Sequence, residues 1–207
     1  MYLPPHFKAQ DLDIAWALIR EHPLGSVISQ DDKGAPFVSH VPLHLNQDRE
    51  SPVLFGHFAR ANPHWKCFKD RPQALVTFMG PQAYVSPQIY PDLARVPTWN
   101  YLAVHAQVDV RLLDDAQAKD ALLKQLIADH EPPYAAQWRG LDESFQDAML
   151  SGIVAFEMSI TSLACKVKLN QHRPESLMPL YKMYQNGTPQ EQSLADWMVR
   201  LRLVTPP

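Results

Sequence analysis

The segment from Trp99 to Leu113 alternates apolar and polar side chains more cleanly than any other stretch of the sequence. Because successive side chains of a β-strand point to opposite faces, this two-residue period predicts one long strand with a single buried face. A strand buried on one side only is typical of an antiparallel sheet. The alternating positions are Val104, Ala106, Val108, Val110 and Leu112 on one face, and His105, Gln107, Asp109 and Arg111 on the other.

Shorter stretches of similar character predict the rest of the sheet. The first two strands form a hairpin around the turn Asp31–Gly34. Pro42 cannot donate a hydrogen bond to a neighbouring strand, so its strand is expected at an edge of the sheet or at a bulge. Gly80 and Pro81 are expected to interrupt a strand. The other predicted strands are Leu24–Gln30, Ala35–Leu45, Val53–Ala59, Ala74–Met79, Ala83–Pro87, Gly152–Ile160 and Ala164–Asn170.

Helical spacing and capping residues predict helices at Asp11–Glu21, Asp115–His130 and Leu141–Leu150. A last helix begins at Thr188, where a capping box precedes an apolar stripe that is expected to pack on the parent domain or on a dimer partner. Consecutive strands joined by short turns favour an antiparallel sheet closing into a barrel over a parallel array. The predicted fold class is therefore mainly β (α+β), with flanking helices and a C-terminal helix.

Composition excludes several kinds of site. The 207 residues include only 7 glycines, and neither a GxGxxG nor a GxxxxGK[ST] motif occurs, which excludes a Rossmann nucleotide site and a P-loop. The net charge of −3 offers no electrostatic footprint for nucleic acid. His40 and His44 lie too far apart on a strand to share a metal ion, so no metal site is expected.

Cys67 and Cys165 stand far apart in the sequence, which argues against a zinc site or a disulfide scaffold and fits a reducing cytosol. The N-terminus lacks a basic run followed by an apolar core, and no window is long and apolar enough to span a membrane. A cytoplasmic location without membrane contact is therefore expected.

The stretch GHFARANPHW, from Gly56 to Trp65, predicts a strand that turns abruptly into a helix. Asn62 is a suitable N-cap before Pro63, and Arg60 lies beside the open helix end, where unpaired N–H groups attract anions. This corner suits a phosphate group. An ordinary strand-to-helix corner with a solvated arginine fits the same residues equally well.

Two further segments carry candidate binding residues. Tyr84, Tyr90, Trp99 and Tyr101 lie in a proline-rich region, and aromatic walls of this kind line sites for flat heterocycles. KVKLNQHR places polar groups at the end of the last predicted strand, including Lys168, Gln171 and Arg173. The simpler interpretations are a loop that packs its own aromatic rings and a solvated cluster of charges. The residues alone lead to a β-barrel-like domain with a site for an anionic, aromatic ligand.

Six motifs together resemble the PaiB-type, FMN-binding negative transcriptional regulator family. They are MYLPPHF, VSHVPL, GHFARANPHW, FMGPQAYVSPQIYP, VPTWNYLAVH and KLNQHR, and they span most of residues 1–174 in order. The resemblance implies a split β-barrel with FMN as cofactor. It also implies a homodimer with the flavin sites at the subunit interface. Residues 175–207 fall outside the resemblance and are expected to form a helical extension.

The resemblance also implies site residues. Arg60 and Asn62 match the corner where split barrels commonly hold the FMN phosphate. Ser39 and His40 lie on the strand that runs along the isoalloxazine ring in such folds. Further residues expected to line the pocket are Trp99, Asn100, Lys168 and Gln171. His172 departs from the family pattern, in which asparagine is more usual at this position.

Three functions from different classes remain open at this point. The first is an FMN-binding negative transcriptional regulator, and the second is a flavin-dependent oxidoreductase, either a flavin reductase or a haem-processing enzyme. The third is a dimeric ligand-binding protein without chemistry. Direct DNA binding has weak support, because the chain is acidic and shows no helix-turn-helix signature.

Overall fold

Seven β-strands form one sheet in the computed structural model, which describes residues 1–47, 51–92 and 94–206. Within this part of the chain the strand order is β2-β1-β5-β6-β7-β4-β3, and every recorded pairing is antiparallel. Because β2 and β3 end the order, the sheet is open, as in a split barrel. The strands are β1 (Leu24–Gln30), β2 (Pro36–Pro42), β3 (His44–Asn46), β4 (Val53–Ala59), β5 (Gln73–Val85), β6 (Thr98–Leu113) and β7 (Ile153–Lys168).

Helices flank the sheet, and three of them begin where the sequence predicts. Asp11, Asp115 and Thr188 each cap a helix by accepting a backbone N–H with the side chain, and Thr188 forms the expected capping box with Glu191. The helices are α1 (Leu12–Glu21), α2 (His64–Cys67), α3 (Ala116–His130), α4 (Tyr134–Arg139), α5 (Glu143–Ser151), α6 (Pro174–Gln185) and α7 (Pro189–Arg200).

The chain divides into two compact units. Unit 1 comprises Met1–His22, Phe78–Val104 and Ala164–Pro207, and unit 2 comprises Pro23–Thr77 and His105–Leu163. The long strands β5, β6 and β7 each contribute residues to both units. Each of these strands therefore contributes side chains to two separate cores.

The apolar stripe of α7 lies in the core of unit 1. Leu194, Trp197 and Met198 are almost completely buried, as are Leu180 and Tyr184 of α6. Unit 2 has its own aromatic core, in which the rings of Phe58 and Phe156 lie 4.7 Å apart.

The predicted strand Ala35–Leu45 is interrupted in the structure. The β2 ladder with β1 ends at Pro42, and β3 then pairs with β4 at the opposite end of the strand order. Pro42 has no N–H to continue the ladder, and the Leu43 N–H donates to the carbonyl of Pro23 instead. The expected edge position of the Pro42 strand is confirmed, since β2 ends the order.

Two predicted interruptions are wrong, because β5 and β7 are each continuous. Gly80 lies inside β5 and does not mark a turn. A Cβ at this position would lie 2.5 Å from Leu18 Cδ1, so glycine allows Leu18 to pack closely against the strand. In β7 the polar pair Thr161-Ser162 breaks the apolar pattern but not the strand, because the neighbouring β6 is equally long.

Helices α4 and α6 were not predicted from the sequence. Proline residues precede or open both helices, and proline is tolerated in the first turn because its missing N–H has no partner there.

In the described residues, no helix is long and apolar enough to cross a membrane.

We expect substitution of Gly56 by alanine to destabilise unit 2. A Cβ on Gly56 would lie 2.8 Å from Cζ of the buried Phe156 ring and 2.9 Å from Cδ2 of Leu43. Overpacking of this kind costs about 1–3 kcal/mol of unfolding free energy. Urea denaturation of Gly56→Ala measures the loss, and Gly140→Ala is the matched control because its nearest contact would be an ordinary 3.5 Å. Equal stability of the two variants would contradict this packing argument.

Candidate functional site

Asn62 joins the corner between β4 and α2 to strand β2. Its Oδ1 accepts the His64 N–H at 3.0 Å at the start of the short helix, but the N-cap position itself is occupied by Pro63 and not by Asn62 as the sequence predicted. Its Nδ2 donates to Ser39 Oγ at 3.0 Å. The structure therefore brings together two of the predicted site residues, Ser39 and Asn62.

His64 is the centre of this corner, although the sequence analysis did not select it. It is fully buried, and its ring nitrogens lie 2.8 Å from Ser39 Oγ and 2.8 Å from Ser29 Oγ. Burial lowers the pKa of His64 from 6.5 to about 4, so the imidazole is neutral at pH 7. A neutral imidazole donates through one nitrogen and accepts through the other, which matches two hydroxyl partners.

Aromatic rings surround the His64 imidazole within unit 2. The ring centroids of Phe37, Phe58 and Phe68 lie 4.6, 5.2 and 5.1 Å from that of His64. These rings remove the imidazole from water and account for its lowered pKa.

Arg60 also lies at this corner, but its guanidinium group contacts protein atoms. Its Nε donates to the Ser151 carbonyl at 2.7 Å, and its Nη2 donates to the Ile153 carbonyl at 3.0 Å. Nη2 also lies 3.2 Å from Asp114 Oδ1. These contacts tie the end of β4 to the start of β7.

His40 and Ser39 lie on opposite faces of β2. Ser39 faces the core, whereas His40 is exposed and its Nδ1 lies 2.9 Å from Ser26 Oγ. Adjacent strand residues cannot present their side chains to the same side of a sheet. The two predicted residues therefore do not share a surface.

In unit 1, exposed aromatic rings occupy one face of the sheet. Trp99 of β6 is 46% exposed and Tyr84 of β5 is 49% exposed, and their ring centroids lie 6.2 Å apart. The Trp99 indole N–H donates to Gln82 Oε1 at 3.1 Å, which fixes the orientation of the ring.

Two lysines of β7 lie beside aromatic rings in the same unit. Lys166 is only 8% exposed; its Nζ donates to the Tyr2 carbonyl at 3.2 Å and lies 5.2 Å from the Tyr101 ring centroid. Lys168 Nζ donates to Thr98 Oγ1 at 2.6 Å. Burial lowers the pKa of Lys168, with Tyr101 opposing this effect and Lys166 adding to it. Among the described residues neither lysine has a carboxylate partner.

The other two predicted residues of unit 1 have different positions. Asn100 is fully buried on the opposite face of β6 from Trp99, and neither amide atom makes a hydrogen bond of normal geometry within the described chain. It nevertheless lies close enough to the Tyr184 hydroxyl to lower the pKa of that group, which burial raises more strongly. Gln171 caps the end of β7, accepting the Leu169 N–H at 2.8 Å and donating to the Val167 carbonyl at 2.6 Å.

Unit 2 also contains a cavity of about 520 Å³, and none of the predicted site residues lines it. Its polar lining includes Ser29, Arg71, Gln73 and Asp109. In the described ranges, no group of histidine, cysteine and acidic residues could hold a metal ion.

Lys166 and His64 are the site residues that sequence reasoning missed, whereas Tyr101 was among the predicted aromatic residues. Lys166 could have been found from the two-residue period of the KVK segment, which places it on the same face as Lys168. Tyr101 shares a face with Trp99 for the same reason. No local pattern shows that His64 contacts Ser29, which lies 35 positions away.

Comparison with protein families now identifies the chain. Residues 1–162 match the family described as "Putative FMN-binding domain". The chain is 31% identical over 203 residues to "Protease synthase and sporulation protein PAI 2" of Bacillus subtilis, covering 96% of each protein. The chain belongs to the PaiB-type, FMN-binding family. The predicted family is thereby confirmed.

Solved structures of low sequence identity share the fold. A flavocytochrome from Azotobacter vinelandii matches with a TM-score of 0.62 and 17% identity, over 78% of this chain and 69% of that one. The FAD and heme binding protein from Mycobacterium smegmatis matches with a TM-score of 0.56 and 17% identity, over 78% and 73%. These likenesses confirm the split-barrel fold predicted for this PaiB-type protein.

We expect His64 to make the protein less stable in acid. Because the folded-state pKa lies below the ordinary 6.5, the unfolded chain binds the proton first as the pH falls. Stability that is complete above pH 6.5 should therefore be lost as the pH falls toward about 4, by at most about 3 kcal/mol. Urea denaturation at several pH values measures this slope.

The matched variants are His64→Asn and His130→Asn. His64→Asn lowers stability at all pH values but should flatten the slope between pH 6.5 and about 4. His130→Asn, at an exposed position, should leave the slope unchanged. An unaltered slope in His64→Asn would contradict the assignment of the proton to this imidazole.

Proposed function

We propose that this chain is an FMN-binding negative transcriptional regulator of the PaiB type that acts as a cytoplasmic homodimer. The observation that carries the proposal is the pair Lys166 and Lys168 of unit 1, which have no carboxylate partner in the described chain; Lys166 Nζ lies 5.2 Å from the ring centroid of Tyr101, on the strand that also carries the exposed Trp99. Cationic groups beside aromatic rings suit an anionic, aromatic ligand.

The residues present fit FMN. Trp99 and Tyr84 offer apolar ring surface for a flat heterocycle, and Lys168 offers a charged donor for its anionic groups. When bound, FMN supplies a redox-active flavin ring, whereas the protein supplies binding and orientation.

The site residues of unit 2 complete the proposal. In that unit Ser39 and Asn62 form the hydrogen-bonded corner, Arg60 is the proposed phosphate ligand, and His40 lies on the exposed face of β2. Gln171 contributes by fixing the end of β7 beside Lys168. A homodimer with the flavin at the subunit interface agrees with the exposure of Trp99 and Tyr84.

The domain organisation belongs to the same proposal. Residues 1–174 form the FMN-binding domain, and residues 175–207 form a helical extension that packs on it. The burial of Leu194 and Trp197 supports this packing. Repression of transcription is the role suggested by family membership, and it includes indirect repression without DNA contact. Likeness to flavoproteins at 17% identity shows the fold alone and does not favour the oxidoreductase alternative.

We expect FMN to bind saturably, with quenching of flavin fluorescence on titration into the purified protein. Trp99→Ala should weaken FMN and riboflavin alike, by about five-fold or more, because it removes aromatic contact with the ring. Phe145→Ala is the matched control, since it removes a similarly exposed aromatic side chain in unit 2. Absence of quenching in the wild-type protein would remove FMN from the proposal.

Arg60→Ala distinguishes a phosphate ligand from a structural residue. If Arg60 holds the FMN phosphate, FMN affinity should fall by about ten-fold or more, whereas riboflavin affinity should change little. If the bonds to the Ser151 and Ile153 carbonyls are its whole role, both affinities should fall together. Comparing the two dissociation constants in each variant measures the difference, and an equal loss would contradict the phosphate assignment.

A further inference from the structure

Four basic side chains of unit 1 converge beyond the end of β7. They belong to three different parts of the chain: the N-terminal segment, β7 and the start of α6. The ring centroids of His6 and His172 lie 5.2 Å apart, and Arg173 Nε lies 3.3 Å from His172 Nε2. We refer to this group as the basic cluster; its members are His6, Lys168, His172 and Arg173.

Phe7 holds the basic cluster together. Its buried ring meets the His172 ring edge-on, with centroids 5.3 Å apart, and the Lys168 Nζ lies 6.0 Å from its centroid. The Arg173 guanidinium group lies 5.5 Å from the Tyr90 ring centroid. Aromatic rings therefore support the cationic groups and leave their polar edges available.

The members of the cluster repel one another. Burial lowers the pKa of His172, and Arg173, His6 and Lys168 each lower it further, whereas Glu175 opposes them. Among the described residues no member forms an ion pair. Like charges held together without a counter-ion disfavour the folded state, and a bound anion relieves this repulsion.

The position of the cluster permits a ligand to enter. His6 and His172 are exposed, and a neighbouring cavity of about 180 Å³, lined by Lys8 and Gln171 among others, includes His6 but no other member of the cluster. The Arg60 corner differs, because there the guanidinium group already donates to two carbonyls.

We propose that His6, Lys168, His172 and Arg173 bind a phosphate group. The donors are the Lys168 ammonium group, the Arg173 guanidinium group and the two imidazoles, which gain a second N–H when protonated. Two sources supply this chemistry: the phosphate of FMN itself, which rests on the proposed function and would put the cluster in the place of Arg60 as its ligand, or a separate phosphate-bearing ligand.

The test uses the full chain and isothermal titration calorimetry with inorganic phosphate. Lys168→Gln and His172→Asn should each weaken phosphate binding by about ten-fold or more, because the first removes a charged donor and the second removes the imidazole donor. Lys182→Gln is the matched control, since it removes an exposed positive charge elsewhere in unit 1. If Lys168→Gln fails to fold, the exposed His172→Asn carries the test.

The same variants identify the source of the phosphate. If FMN supplies it, Lys168→Gln and His172→Asn should weaken FMN but not riboflavin, and the FMN-loaded protein should no longer bind inorganic phosphate. If a separate ligand supplies it, the FMN-loaded protein should bind phosphate as tightly as the flavin-free protein.

Wild-type protein that binds no phosphate, or cluster variants that bind it as tightly as Lys182→Gln does, would overturn the inference. Phosphate binding without flavin binding would leave the site standing and remove the proposed function. The phosphate site and the proposed FMN-binding function can therefore be contradicted independently of each other.

Discussion

The alternation of side chains along the strands is the constraint on which the rest of the structure depends. In β6, Trp99 is exposed whereas Asn100 is fully buried, and in β2, Ser39 is buried whereas His40 is exposed. Residues that are neighbours in a motif are thereby assigned to different surfaces. The motif VSHVPL therefore places Ser39, Val41 and Leu43 toward the core and Val38, His40 and Pro42 toward the surface.

Local patterns predicted most of the elements, because period, capping and proline act over a few residues. The alternation from Trp99 to Leu113 and the capping box at Thr188 are of this kind. The predicted breaks in β5 and β7 were wrong because the neighbouring strands decide continuity there, and no local pattern reports a neighbour. The hydrogen bonds of His64 could not be predicted for the same reason, since its partners Ser29 and Ser39 lie 35 and 25 positions away.

In the candidate site, too, local motifs predicted which residues are present but not which distant groups they contact. Sequence motifs selected Arg60 and Lys168 as cationic residues but could not show how each guanidinium or ammonium group is used. The Arg60 side chain contacts three acceptors, the carbonyls of Ser151 and Ile153 and the carboxylate of Asp114. Lys168 instead donates to a single hydroxyl group. Any phosphate at Arg60 therefore has to be bound by a guanidinium group that already donates to two carbonyls, whereas Lys168 has no carboxylate partner among the described residues.

Lys166 extends this contrast to the interior. Burying an ammonium group without a partner destabilises the folded state, because removing an ion from water costs on the order of several kcal/mol. One carbonyl and the rings of Tyr2 and Tyr101 are its recorded partners, and cation–π contacts return only about 0.5–2 kcal/mol each. The N-terminal segment supplies Tyr2, and Lys8 bridges to Lys166 along the backbone. The same segment brings Phe7 beside Lys168 and His6 beside Phe7, so the burial of Lys166 and the half-burial of Lys168 both depend on how residues 2–8 lie against β7.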